Sequence, residues 1–214
     1  MPAVPLPAPP GAAARGPHQR LLARLSQAAR AAGFDESFTP SFVGEAALGP
    51  AAPLDRLVEI RNPISKADRF LRPFIVPNLA RAAAYNLKRG AGRAKLFEIG
   101  HAFERMRDEV KESERLALAA AGARFPLDWT RTSPAEYDFW DLKGDLEDLL
   151  AAAAGIAPRF VPCEQAWLHP GRQAEIKGPG GVPLGFCGEV HPEVADAWGA
   201  ERRMLVAEID LGVL

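Results

Sequence analysis

The chain has 214 residues, 48% of them hydrophobic and 25% charged, with a formal net charge of −1. That composition suits a globular protein with material for one sizeable core, and it lacks the basic excess of a free-standing nucleic-acid binder. No apolar run nears the roughly 20 residues that cross a bilayer, and no secretory signal opens the chain. Its two cysteines form no disulfide framework, so a reducing, cytoplasmic setting is expected.

Residues 1–17 are rich in Pro, Ala and Gly without periodicity and read as a disordered lead-in, with one core domain over 18–214. From His18, Leu21, Leu25, Ala28, Ala29 and Ala32 share a helical face, and Gly33 supplies the stop. Phe34 to Val43 alternates like a strand, with Pro40 arguing for an edge or a bend. Residues 44–55 read as a surface loop, and a short strand around Val58 and Ile60 precedes the Asn62-Pro63 turn. Pro77 can open a helix that carries Leu79, Ala82, Ala83, Asn86 and Leu87 on one face before Gly90 ends it.

A long strand follows, with Phe97, Ile99, His101 and Phe103 on one side and Glu98, Gly100 and Ala102 on the other. Leu116 to Ala123 reads as its antiparallel neighbour. Phe139 to Ala154 is a helix with a leucine stripe, stopped by Gly155. Strands are expected at 159–163, 173–177, 184–190 and 204–211, with a hairpin at Gly178–Gly181 and a short helix at 192–198. Hairpin spacing with interspersed helices points to an α+β fold, a mostly antiparallel sheet flanked by helices.

Several residue groups invite a chemical reading. Cys163, His169, Cys187 and His191 are zinc-ligand types, but Cys-x5-His and Cys-x3-His are unusual spacings, and buried thiols with capping or packing histidines fit better. Gly90 to Lys95 imitates a phosphate loop yet follows a helix and opens a strand, the reverse of the required order. Lys88, Arg89, Arg93 and Lys95 then read as a solvated basic loop, with RNA phosphate contact the lesser alternative. Asp141, Asp145, Glu147 and Asp148 read as a solvated helix face, and Lys143 as an ion-pair partner of Glu147. Arg72 and Glu98 both fall on strands expected to be buried, where a charge needs a partner, so they are expected to pair.

The order of motifs carries a resemblance. GFDESFTPSF (33–42) after an amphipathic helix resembles the first signature of class II aminoacyl-tRNA synthetases, where helix and strand build a subunit interface. NPISKADRFLRPFIVPNLARAAAYNLKRG (62–90), KLFEIGHAF (95–103), FWDLKGDLEDLL (139–150), LHPGRQAEI (168–176) and GFCGEVHPEV (185–194) are similar, in order, to blocks of bacterial phenylalanyl-tRNA synthetase beta subunits. The family positions carried over are Asn62, Pro63, Arg72, Asn86, Glu98, Gly100, Lys143, Gly144, His169, Pro170, Gly171, Glu189, His191 and Pro192.

The resemblance implies a synthetase-like core in a ligase that charges tRNA with phenylalanine. Catalytic class II cores place an arginine after the phenylalanine of the second signature. Here Glu104 follows Phe103, Arg105 should point to the opposite face, and the arginine of the third signature has no counterpart. The chain is therefore expected to hold no catalytic residue, metal or cofactor of its own. ATP and magnesium would be used through other regions of the complex. The implied partner is the alpha subunit, in a heterotetramer, and tRNA would be met only through that complex. A homodimer is the alternative for the isolated chain. The resemblance favours Leu21, Leu25 and Ala28 on the first helix, with Phe38 and Phe42 on the next segment, as the partner interface, although the helix stripe could equally cover the chain's own sheet. A free-standing paralogue that binds an amino acid or nucleotide is the competing reading.

Overall fold

The computed structural model describes residues 15–48, 52, 54–65, 68–107, 109–126, 129 and 135–214. In chain order the elements are α1 (Pro17–Ala31), β1 (Asp35–Glu36), β2 (Phe42–Val43), α2 (Glu45–Leu48), β3 (Val58–Glu59), β4 (Phe70–Leu71), α3 (Val76–Lys88), β5 (Arg93–Met106), β6 (Glu109–Gly122), α4 (Phe139–Ala154), β7 (Arg159–Pro162), β8 (Leu168–Lys177), β9 (Pro183–Val190), α5 (Pro192–Ala197) and β10 (Met204–Asp210). Most of the expected lead-in, residues 1–14, lies outside the described residues. Pro17 is already helical, at a first-turn position where its missing N–H and fixed φ carry no penalty.

A seven-stranded sheet runs β1–β5–β6–β10–β9–β8–β7. Only β1 pairs parallel, to β5 through Asp35–Leu96 and Glu36–Phe97; the other neighbours are antiparallel. The fold is α+β, with helices on both faces. Leu116 and Leu118 of β6 join Leu205 and Ile209 of β10 on the face covered by α1 and α4. The intervening Ala117 and Ala119 meet α3 and α5 on the other face with Met204 and Val206. Two-faced burial explains why these strands read as near-continuous apolar runs.

Helix α4 has the bounds its leucine stripe predicts. Asp138 caps it by accepting from the backbone N–H of Trp140 (2.8 Å) and Asp141 (3.1 Å), and Gly155 ends it at φ 69°, a left-handed value that glycine adopts without strain. The single strand expected over 34–43 is instead divided between β1 and β2. The loop expected over 44–55 contains α2, whose Ala47 carbonyl accepts from the Trp198 indole N–H at 2.6 Å. β2, β4 and β3 form a separate three-stranded sheet.

Candidate functional site

Two concavities bear on function. The first is a cleft of about 440 Å3 on the α3 side of the main sheet, lined by Arg115, Cys163, Glu164, Glu175, Phe186, Glu208 and Asp210 among others. Its one guanidinium, on Arg115, donates to Glu208 at 2.9 Å, and the wholly buried Glu208 also accepts from the backbone N–H groups of Ile75 (2.8 Å) and Val76 (3.1 Å) at the start of α3. Burial raises the Glu208 pKa, while Arg115 and the two N–H groups oppose that rise. Four carboxylates face a single cation that is already occupied, an arrangement hostile to a polyphosphate.

Glu104 lies further along β5, on the same side as Glu98 and Gly100 by strand alternation. Its carboxylate accepts from Arg56 Nη1 at 3.0 Å. Arg105 is exposed on the opposite side.

The second concavity is a groove of about 990 Å3. Its floor is the outer face of α3, with Asn78, Arg81, Tyr85 and Lys88; its walls are Phe38, Pro40 and Phe42 on one side and Asn62, Pro63 and Ile64 on the other. Large apolar groups stand open to solvent here: Phe38 is 82% exposed, Ile64 99%, Tyr85 56% and Phe42 42%. Apolar exposure converging on one groove marks a surface made to be covered.

Phe38–Ser41 is extended but lies between the ladders of β1 and β2, and Phe42 opens β2 opposite Leu71. Phe38, Pro40 and Phe42 turn outward, while Ser37, Thr39 and Ser41 turn in. The backbone is held by side chains instead. Thr39 N–H donates to Glu98 Oε2 (3.1 Å), and the Thr39 carbonyl accepts from Arg72 Nη1 (3.3 Å). The carbonyls of Pro40 and Phe42 both accept from Asn78 Nδ2, at 2.8 and 3.0 Å. Arg72 and Glu98, each 2% exposed, form the expected pair at 2.8 Å, and Arg72 Nε donates to the His101 carbonyl at 2.9 Å. Gly100 gives the guanidinium its space, since a Cβ there would lie 2.7 Å from Arg72 Nη2.

The first helix is corrected. Leu25 is fully buried in the chain's own core, and Leu21 and Ala28 pack half-buried against the same cluster beneath α4. The stripe covers the sheet, and Leu25 has no surface to offer a partner. Lys95 is corrected too. It is buried on β5, donates to Asp145 Oδ2 (2.7 Å) and the Ala32 carbonyl (2.8 Å), and lies over the rings of Phe34 and Tyr137. Asp145 is thus half-buried in a polar network and also accepts from the Tyr137 hydroxyl at 2.6 Å; burial, and then this bond, push the phenol pKa up.

The family described as "Phenylalanyl tRNA synthetase beta chain CLM domain" matches residues 1–211. The chain belongs to this phenylalanyl-tRNA synthetase beta chain family. It is 36% identical over 182 residues to the phenylalanine–tRNA ligase beta subunit of Xanthomonas oryzae pv. oryzae (strain MAFF 311018), covering 84% of this chain and 23% of that protein. It is 32% identical over 191 residues to the one from Pseudomonas savastanoi pv. phaseolicola, covering 89% and 24%. The chain therefore spans about a quarter of the length of these relatives. Among solved structures, the pyrrolysyl tRNA synthetase PylSc of Desulfitobacterium hafniense superimposes with a TM-score of 0.69 over 94% of this chain and 68% of that one, at 19% identity, a likeness of fold.

The remaining beta-chain family positions divide by what they touch. Asn62 and Pro63 rim the groove. Glu189, buried on β9, accepts from Arg172 Nε (2.6 Å) and Nη2 (2.9 Å) and lies 3.2 Å from Arg203 Nε. Lys143 pairs with Glu147 one turn along α4. Asn86 donates to the Ala82 carbonyl of its own helix at 2.8 Å. His169 Nδ1 accepts from Gly171 N–H at 3.1 Å beside Pro170; His191 stands at the N-cap position of α5 without a side-chain cap bond, its carbonyl accepting from Val194 and Ala195 N–H, and Pro192 is that helix's first residue. Nothing in the structure requires glycine at Gly144, where a Cβ would meet open space. Cys187 is buried, with its thiol pushed up to about 12 by desolvation.

Sequence reading missed the groove as a unit. Its walls come from residues 37–42 and from Ile60, Asn62 to Ser65 and Asp68, its floor from α3, and its end from Trp198 and Gly199. The available signal was the row of outward apolar residues at 38, 40 and 42.

Proposed function

We propose that the chain is a non-catalytic core of the beta subunit of a phenylalanine–tRNA ligase, pairing through the groove over α3 with the catalytic alpha subunit. The observation that carries this is the Phe38–Pro40–Phe42 ridge, standing open beside Tyr85 and Ile64 in a concavity far larger than one side chain would fill. In this reading the cytoplasmic complex, a heterotetramer, charges tRNA with phenylalanine. ATP, magnesium and tRNA are handled by regions outside this chain, whose contribution is buried interface and orientation of its partner.

The charges on the sheet face support the same reading. Arg115 is engaged by Glu208 and Glu104 by Arg56, so no cation stands ready for a nucleotide phosphate at either place. The test is co-purification with the alpha subunit of the same source, followed by tRNA charging with and without this chain. Association, with charging that depends on it, is expected. Aminoacyl-adenylate formation by the chain alone, read by pyrophosphate exchange, would overturn the non-catalytic assignment. Failure to associate would overturn the pairing.

A further inference from the structure

Buried polar groups are unfavourable unless their partners are fixed, and replacing them with apolar residues is often neutral or stabilising. Three such side chains in this domain, Arg72, Glu98 and Asn78, converge on residues 37–42, the segment that runs from the end of β1 into the first residue of β2. Between them they bond the Thr39 N–H and the carbonyls of Thr39, Pro40 and Phe42. The Ser37 N–H donates to the Phe97 carbonyl (2.8 Å), and the Ser41 carbonyl accepts from the Arg72 N–H (2.9 Å). Sheet pairing would normally do this work, but Pro40 has no N–H to give a ladder.

Thr39 is the hinge pin of the arrangement. Its hydroxyl donates to Glu98 Oε2 at 2.6 Å and accepts from Arg72 Nη1 at 2.8 Å, so one oxygen closes a triangle inside the buried ion pair. The residue before it, Phe38, has little apolar cover among the described residues and is 82% exposed. An exposed phenylalanine on an unpaired segment should fold back onto the nearest apolar surface unless the backbone beneath it is fixed. Here that backbone is fixed by charge-assisted bonds, roughly twice as strong as neutral ones.

We infer that Thr39 is a positioning residue for the partner surface: clamped by Arg72 and Glu98, it presents the Phe38–Pro40–Phe42 ridge preformed to the alpha subunit. This rests on the groove being the docking face proposed above. A preformed ridge loses less conformational entropy on association, so loosening it weakens binding without removing any contact side chain.

The experiment is a double-mutant cycle on alpha-subunit binding, measured by calorimetry with this chain. Thr39→Val keeps the shape and removes the hydroxyl; it should weaken binding about tenfold. Thr39→Ser, which keeps the hydroxyl, should bind within about twofold of the starting protein. In a Phe38→Ala background, Thr39→Val should weaken binding by far less than tenfold, because the group it positions is gone. Equal losses in both backgrounds, or no loss from Thr39→Val, would overturn the inference. Should Thr39→Val not fold, Asn78→Ala releases the Pro40 and Phe42 carbonyls while leaving the ion pair; undiminished binding by that variant counts against the inference equally. Amide hydrogen exchange over residues 37–42 separates this claim from the docking proposal, since it needs only the isolated chain. Exchange should quicken in Thr39→Val and not in Thr39→Ser. If the unmodified chain binds no alpha subunit, the docking proposal falls, and equal exchange in the two variants would sink the clamp independently.

Discussion

Replacing Arg72 with leucine should strongly destabilise the domain. Arg72 is 2% exposed, and its guanidinium makes the 2.8 Å ion pair with Glu98 as well as bonds to the His101 carbonyl and to the Thr39 hydroxyl and carbonyl. Leucine removes all of these and strands Glu98 as a buried carboxylate held only by Thr39. Breaking a buried pair from one side costs about 3–5 kcal/mol. For a domain of this size each kcal/mol moves the melting midpoint by roughly 2–4 °C, so a fall of roughly 6–20 °C is expected. Circular dichroism melts and urea titration measure it. Arg72→Leu combined with Glu98→Leu should melt higher than Arg72→Leu alone, because the stranded charge is gone. A single variant melting within about 2 °C of the unmodified chain, well below that range, would refute the reasoning.

Gly100→Ala should destabilise by about 1–3 kcal/mol, since its Cβ would lie 2.7 Å from Arg72 Nη2; the urea midpoint reads it, and the loss should vanish in an Arg72→Leu background. Leu25→Ala should cost about 2–5 kcal/mol by opening a cavity between α1 and α4, and Leu25→Glu should unfold the domain outright, as thermal melts would reveal. With its thiol raised to about 12, Cys187 has only about one molecule in ten thousand as thiolate at pH 8. A disulfide-type thiol reagent should therefore label half-buried Cys163 in the native state and reach Cys187 only on unfolding.

Elements with a single strong period were legible. Helix α4 could be read to its final residue because its leucines recur at helical spacing up to Gly155. The Arg72–Glu98 pair followed from the need of buried charges for partners. What failed has a shared cause: periodicity shows that a face is buried without showing what buries it. The α1 stripe is helical and apolar, as an interface helix would be, yet α4 and the sheet already cover it. Lys95 looked like part of a basic loop, but β5 is buried on both faces and a lysine in such a strand must point into one of them. Asp145, Tyr137 and Phe34 receive it there. β4 is only two residues long, too short for any period to register. The start of β8 hid behind the polar His169–Arg172 segment, where its register against β9 also shifts.

Under the proposed non-catalytic role, the distribution of polar groups divides the chain's two concavities. In the sheet-face cleft Arg115 is engaged by Glu208, and on β5 Glu104 is engaged by Arg56. On the groove side the pattern reverses. The polar side chains beneath the ridge are inward and bonded, and the outward side chains of the ridge itself are Phe38, Pro40 and Phe42. Electrostatic preorganisation, which an enzyme aims at a transition state, is aimed here at the chain's own backbone. A partner meeting this face would encounter a fixed apolar ridge and so pay little ordering entropy at that ridge. On this reading a change beneath the ridge should weaken assembly in proportion to how far it frees residues 37–42, even where it leaves every exposed side chain untouched.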